Sequence, residues 1–293
     1  PPRTGRVVRT TGNGFIDEEI SAFTSGNFST SYSMFGTAFK DGDQLFQQLR
    51  NNRLGVSRRL GTRAGIDIND PNNLNPDGTV IGYGSNSQDV LLPAFLAAYS
   101  GKDAGKVKLG LFRNIPVPNW NLRYTGLMKF NWFKETFNSF SVSHGYRSSY
   151  TISNFTNNLQ FDSNDLTKTN AAGNFESNRL VSSATLVDEF NPLIRVDMKM
   201  KNSFSFRGEV KRDRTLTMNF NNSTLTDIKG TEFVFGIGYV FKDVKMKTSF
   251  TGKKQTLKGD INVRADVSLR DNITLVRSVD VDNDQISGGQ KLF

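Results

Sequence analysis

The sequence contains no cysteine, a single histidine and two tryptophans in 293 residues. Without cysteine there are no disulfides, thiolate metal sites or thiol nucleophiles, and any imidazole chemistry must run through His144. No run of about 18 apolar residues occurs, so no transmembrane helix is expected. The most apolar stretch, Val90 to Tyr99, is short and carries Pro93. Clustered charge is also scarce: 37 basic and 28 acidic residues give a net charge of +9, but dispersed along the chain, so no nucleic-acid partner is expected. The mean hydropathy of −0.44 suits water, yet strands with one polar face give the same value. The chain opens Pro-Pro-Arg, with neither Met nor a signal-peptide pattern, so secretion is not readable there.

What the sequence has in abundance is alternation. In Leu257 to Arg270, Leu257, Gly259, Ile261, Val263, Ala265, Val267 and Leu269 interleave with Lys258, Asp260, Asn262, Arg264, Asp266, Ser268 and Arg270. On a strand these sets fall on opposite faces, whereas a helix would mix them. Tilted as in an outer-membrane barrel, such a strand rises roughly 30 Å, the height of the apolar band. A Lys or Arg near the bilayer midplane costs about 2–4 kcal/mol, so the charged face must meet water. The same pattern recurs where Ile194, Val196, Met198 and Met200 interleave with Arg195, Asp197, Lys199 and Lys201, and where Phe204, Phe206 and Val210 interleave with Ser205, Arg207, Glu209 and Lys211.

Strands are expected at 106–112, 121–126, 139–155, 193–201, 203–211, 215–221, 232–241, 244–252, 257–270 and 273–279. Lys201-Asn202, Arg212-Asp213, Asn221-Asn222, Lys242-Asp243 and Arg270-Asp271 are read as two-residue joints between antiparallel neighbours. Spacing of about ten residues predicts an up-and-down barrel. The fold class expected is all-β: a transmembrane antiparallel barrel segment, part of a very large barrel, spanning 107–293, with a mixed loop and short-helix region over 1–106. Lumen-facing candidates are Arg195, Lys199, Arg207, Glu209, Lys258, Asp260, Arg264 and Asp266. Trp120, Phe130, Trp132 and Phe133 are candidates for an interfacial aromatic belt. Gly288-Gly289-Gln290 is a poor strand former, so Phe293 is not read as a terminal barrel aromatic.

In the first region, Ser31 to Phe39 is a short strand candidate. Asp41-Gly42-Asp43 introduces Leu45, Phe46, Leu49, Val56 and Leu60 at helical spacing among arginines, and packing on a neighbouring domain is favoured over a membrane surface. Asp67 to Gly78 is a loop. Its Asp and Asn spacing approximates a calcium loop, but Pro71 and Asn72 fall where a ligand and a glycine are needed and Gly78 replaces the closing Glu. Gly82-Tyr83-Gly84 is a turn, and Ser87 caps a helix interrupted by Pro93. Residues 160–180 are polar and aperiodic, as in a surface loop.

Nothing converges on catalysis. A barrel phospholipase carries His-x-Ser on one strand, but here Tyr146 follows His144, Ser143 points away and Ser148 lies about 13 Å along. Glu209, Asp260 and Asp266 sit among Lys and Arg, which favours ionised wall charges over an acid-base pair. No cofactor and no enzymatic activity are expected.

Four longer runs add a resemblance. Ser87 to Asp103, Ile115 to Phe155, Asp188 to Phe204 and Gly252 to Arg277 resemble, in order along the chain, the SprA/Sov family, the outer-membrane translocon of the type IX secretion system. The resemblance implies a C-terminal segment of a far longer barrel protein in the bacterial outer membrane, acting as the structural part of a channel that exports folded cargo. The partners it implies are the remaining strands of that barrel, a PorV-like barrel protein, a periplasmic plug protein, cargo bearing a C-terminal secretion signal, and outer-membrane lipid. The alternatives are an autonomous outer-membrane porin or receptor barrel for small solutes, and a β-rich adhesin or binding module outside the membrane.

Overall fold

The computed structural model describes residues 7–11, 14–18, 25–113, 116–248, 255–281 and 284–292. Ile115 and Phe293 lie outside them. Strands β1 (Val7–Thr11) and β2 (Gly14–Glu18) form a separate antiparallel pair. Then come β3 (Ser25–Thr30), α1 (Gly42–Arg63), α2 (Gln88–Ser100), β4 (Trp120–Tyr124), α3 (Asn131–Thr136), β5 (Phe137–Asn157), β6 (Arg179–Leu180), β7 (Ser183–Met200), β8 (Phe204–Asn219), β9 (Thr224–Thr248), β10 (Gln255–Ser278) and β11 (Asp284–Leu292). The last nine strands of the described residues make one sheet in the order β11-β10-β9-β8-β7-β5-β3, with β4 and β6 also paired to β5. Every pairing is antiparallel.

Helix α1 starts on a side-chain cap, whereas α2 follows Ser87 without the side-chain cap bond expected of it. Asp41 accepts hydrogen bonds from the N–H groups of Asp43 (2.7 Å) and Gln44 (3.1 Å), satisfying two otherwise unpaired donors of α1. Helix α2 runs through Pro93 without breaking and ends at Gly101, whose φ of 70° closes it in the left-handed conformation. Residues Val90 to Tyr99 are buried all round, as befits a helix packed between α1 and the sheet. Leu45, Phe46, Leu49 and Val56 of α1 join the same core, with Tyr150 and Ile152 of β5, Leu186 of β7, Leu216 and Met218 of β8, and Leu225 of β9.

The expected barrel is corrected by this arrangement. The path of strands ends at β11 and β3, which do not pair with each other, so the sheet is open and encloses no lumen. The face expected to meet lipid is, along part of its length, sealed against helices. A protein-conducting channel wall and a small-solute porin both need closure, and neither is what this sheet forms. At 25 residues β9 is also far longer than the ~10 residues of a typical membrane-barrel strand. Separately, no described helix is long and apolar enough to cross a membrane.

Three expected joints are also corrected. Strands β8, β9 and β10 run straight through Arg212-Asp213, Lys242-Asp243 and Arg270-Asp271; polar residues there pair across the ladder, Arg212 opposite Thr231, Asp213 opposite Gly230 and Arg270 opposite Glu232. Asp243 alone takes a positive φ of 54°, and its N–H bonds Asp260 Oδ1 at 3.1 Å beside the irregularity between Gly259 and Ile261. Genuine turns fall at Lys201-Asn202 and Asn221-Asn222, each completed by a left-handed serine, Ser203 and Ser223. Ser31 to Phe39 is a loop with a short 3-10 turn, and no strand forms over 106–112. Asp284–Leu292, expected to be irregular at Gly288-Gly289, pairs with β10 as an edge strand.

This division of the sheet predicts unequal costs of truncation. Phe95→Ala should lose about 3–5 kcal/mol, because it opens a cavity in the helix-sheet core. Phe235→Ala, on the uncovered part, should change stability by less than about 0.5 kcal/mol. Urea unfolding of the two variants checks this.

Candidate functional site

Cross-strand register defines two faces beyond the helices. Phe206, Ile237 and Ala265 stand opposite one another on β8, β9 and β10, as do Val210, Phe233 and Leu269. With Phe204, Phe235, Phe241, Ile261, Val263 and Val267 they make one apolar face, and most of these side chains are exposed, Phe235 and Val267 each at 59%. A contiguous exposed apolar surface of this kind marks an interaction site rather than ordinary surface.

The opposite face is polar. It brings together Arg195, Lys199, Arg207, Arg264, Asp266 and Glu209, with Asp197 added at the centre. Asp197 accepts from Arg195 Nε at 2.7 Å and from Arg207 Nε at 3.1 Å. Burial works against the Asp197 carboxylate, yet these two guanidiniums hold its pKa below the ordinary value. Arg264 pairs with Asp266 at 2.7 Å, and its hydrogen bond lowers the Asp266 pKa in turn. Asp260 falls outside the cluster at the irregularity in β10 itself, and Lys258 lies beyond it.

The aromatic candidates divide into two groups. Trp120 lies 4.6 Å from the Tyr146 ring and 5.4 Å from Phe35. Trp132 and Phe133 sit at 4.8 Å and gather with Phe137 and Phe140, while both Phe130 and Trp132 remain largely exposed. His144 occupies the irregular pairing of β5 with β7, its Nδ1 2.6 Å from the Leu193 carbonyl. A Cβ at neighbouring Gly145 would come within 2.9 Å of the Asn191 carbonyl oxygen, so the close strand approach needs glycine there.

No protein-family model matches the chain, and no curated protein matches it.

Sequence reasoning missed a set of charges placed on the apolar side of the sheet. Arg214 of β8 holds Asp227 of β9 in two bonds of 3.0 and 2.7 Å, both side chains almost fully buried, with Lys229 Nζ 3.4 Å from Asp227. The Arg214 guanidinium lies over the Tyr99 ring of α2 at 5.2 Å. Nearer the end of β10, Arg277 bonds Asp43 of α1 and covers the Phe46 ring, and Arg53 reaches Asp280 at 2.9 Å. The signal was available: Arg214, Asp227 and Arg277 sit in the parity of their strands otherwise occupied by Leu216, Leu225 and Leu275. Charges in an apolar parity imply partners.

The pair is costly to break singly. Asp227→Ala leaves Arg214 buried without its carboxylate and should cost about 3–5 kcal/mol, whereas Asp227→Leu combined with Arg214→Met should recover most of that loss. Denaturant midpoints of the three proteins decide it.

Asp89, in the first turn of α2, has its carboxyl pKa raised by burial, opposed by a hydrogen bond from Ser177 Oγ at 2.8 Å. A folded pKa above the unfolded one means that the native state holds the proton more tightly. Stability from this group is therefore greatest in acid and declines as pH rises from the ordinary carboxylate range through the raised pKa. Asp89→Asn keeps the acceptor without the charge, so its stability advantage over the natural chain should widen with pH, as read by urea midpoints across that window.

Proposed function

We propose that this chain is a non-catalytic β-sheet docking module, which holds a protein partner against the uncovered apolar face of β8, β9 and β10. The observation that carries the proposal is the pairing of opposites across one layer. Phe233, Phe235, Val263 and Val267 are exposed on one side, while Asp197, Arg207, Arg264 and Asp266 are already ion-paired on the other. Interfaces are won by burying large apolar side chains at their centre, and such side chains await a counterpart here.

Kinship with the SprA/Sov family belongs to the proposal, supported by the runs from Ser87 to Asp103 and from Asp188 to Phe204. So do a bacterial outer-membrane location and a PorV-like barrel protein as the partner. The outer wall of a barrel is itself an apolar β-surface banded by aromatics, the complement this face requires. The plug protein, secreted cargo, further strands and lipid are the competing occupants.

Photo-crosslinking in the native cell separates them. A photoreactive residue replacing Phe235 should give an adduct whose mass and peptides identify a PorV-like barrel protein, and one replacing Ser268, on the charged face, should not. Adducts at position 235 with lipid alone, with another protein, or equal at both positions would contradict the proposal.

A further inference from the structure

The charged face carries a groove that the apolar face and the helices leave unused. It encloses about 380 Å³ and opens between β4, β5, β7, β8, β9 and β10. Its floor is made of small residues: Ser139, Ser141 and Ser143 of β5, Ser205 of β8, and Gly236 and Gly238 of β9. A Cβ at Gly236 would overlap the Asp266 carboxylate, and one at Gly238 would lie 2.6 Å from Ser205 Oγ. Glycine keeps the floor low at both positions.

Five cations stand around that floor: Arg123, Arg195, Lys199, Arg207 and Arg264. Two carboxylates answer three of them: Asp197 bridges Arg195 and Arg207, and Asp266 holds Arg264. Two cations are left without a carboxylate. The structure shows which they are: Lys199 has no carboxylate within ion-pair distance among the described residues, and Arg123 donates only to Ser141 Oγ, at 3.3 Å. The paired arginines are meanwhile fixed in place by Asp197 and Asp266, so the groove is ordered before any ligand arrives.

We propose that this groove is a binding site for a phosphorylated ligand. Lys199 and Arg123 supply the two charges that a phosphate dianion matches, and the serine hydroxyls of the floor donate to its oxygens. The volume exceeds that of bare phosphate, so the phosphate belongs to a body the size of a sugar or a lipid headgroup. The site is independent of the docking face, because it lies on the other side of the sheet.

Two probes distinguish the soluble from the lipid source. The full chain is titrated calorimetrically with pyrophosphate, and separately co-sedimented with phosphatidylcholine vesicles doped with phosphatidate. Saturable binding to at least one probe is expected, weakened about tenfold or more by Lys199→Ala and by Arg123→Ala and unchanged by Lys168→Ala, a surface lysine of the loop over 160–180. Lys199 and Arg123 are exposed, so both variants should keep the unfolding temperature of the natural chain. No saturable binding to either probe, or an equal loss in Lys168→Ala, overturns the proposal.

Discussion

One face of one sheet needs more cover than its own helices can give. Strand β9 has 25 residues, and at about 3.3 Å each it runs roughly 80 Å. Helix α1 has 22 residues and spans roughly 33 Å, and α2 is shorter, at 13 residues. The helices therefore seal the part of the face that carries Tyr150, Ile152, Leu186, Leu216 and Leu225, and the part that carries Phe233, Phe235, Val263 and Val267 continues past them. Burying a side chain of this size is worth about 1.5–3 kcal/mol, so the covered part holds the fold together and the uncovered part holds binding energy in reserve.

The buried charges mark the boundary. Asp227 and Arg214 lie deepest, under Tyr99, and Arg277 ties α1 to β10 through Asp43. These pairs pin the helices at one end of the sheet, since a buried carboxylate and guanidinium tolerate little sliding before each loses its partner. Packing alone would allow neighbouring registers, because alternating apolar rows repeat along every strand. The ion pairs give the docking face and the charged groove a fixed edge from which both extend.

How much of this was legible differs from element to element. The alternation of Leu257 to Arg270 made a strand plain, and Asp41 announced the helix that its carboxylate caps, because each signal is local and decided by neighbours in sequence; Ser87 also precedes a helix, but its side chain makes no cap bond. Closure is not local. It depends on whether β3 and β11, at opposite ends of the order, find each other, and alternation reads the same in an open sheet as in a barrel. Arg212-Asp213 and Arg270-Asp271 looked like turns because they are polar, when Arg212, Asp213 and Arg270 sit inside unbroken ladders and Asp213 bonds Arg270 at 3.3 Å. In the candidate groove, Arg195, Lys199, Arg207 and Arg264 could be placed on one face from parity alone. Arg123 could not, since nothing in its own short strand shows that β4 pairs with β5.

The absence of cysteine gives the central claim a clean measurement. Single cysteines placed at Leu186, Leu216, Phe235 and Val267 of the isolated chain can each be alkylated with no background thiol, and the rates compared with those after unfolding. Protection at 186 and 216 together with ready labelling at 235 and 267 is the result that a half-covered sheet face requires. Equal protection at all four positions would mean that the face is sealed throughout, and equal labelling that the helices do not cover it.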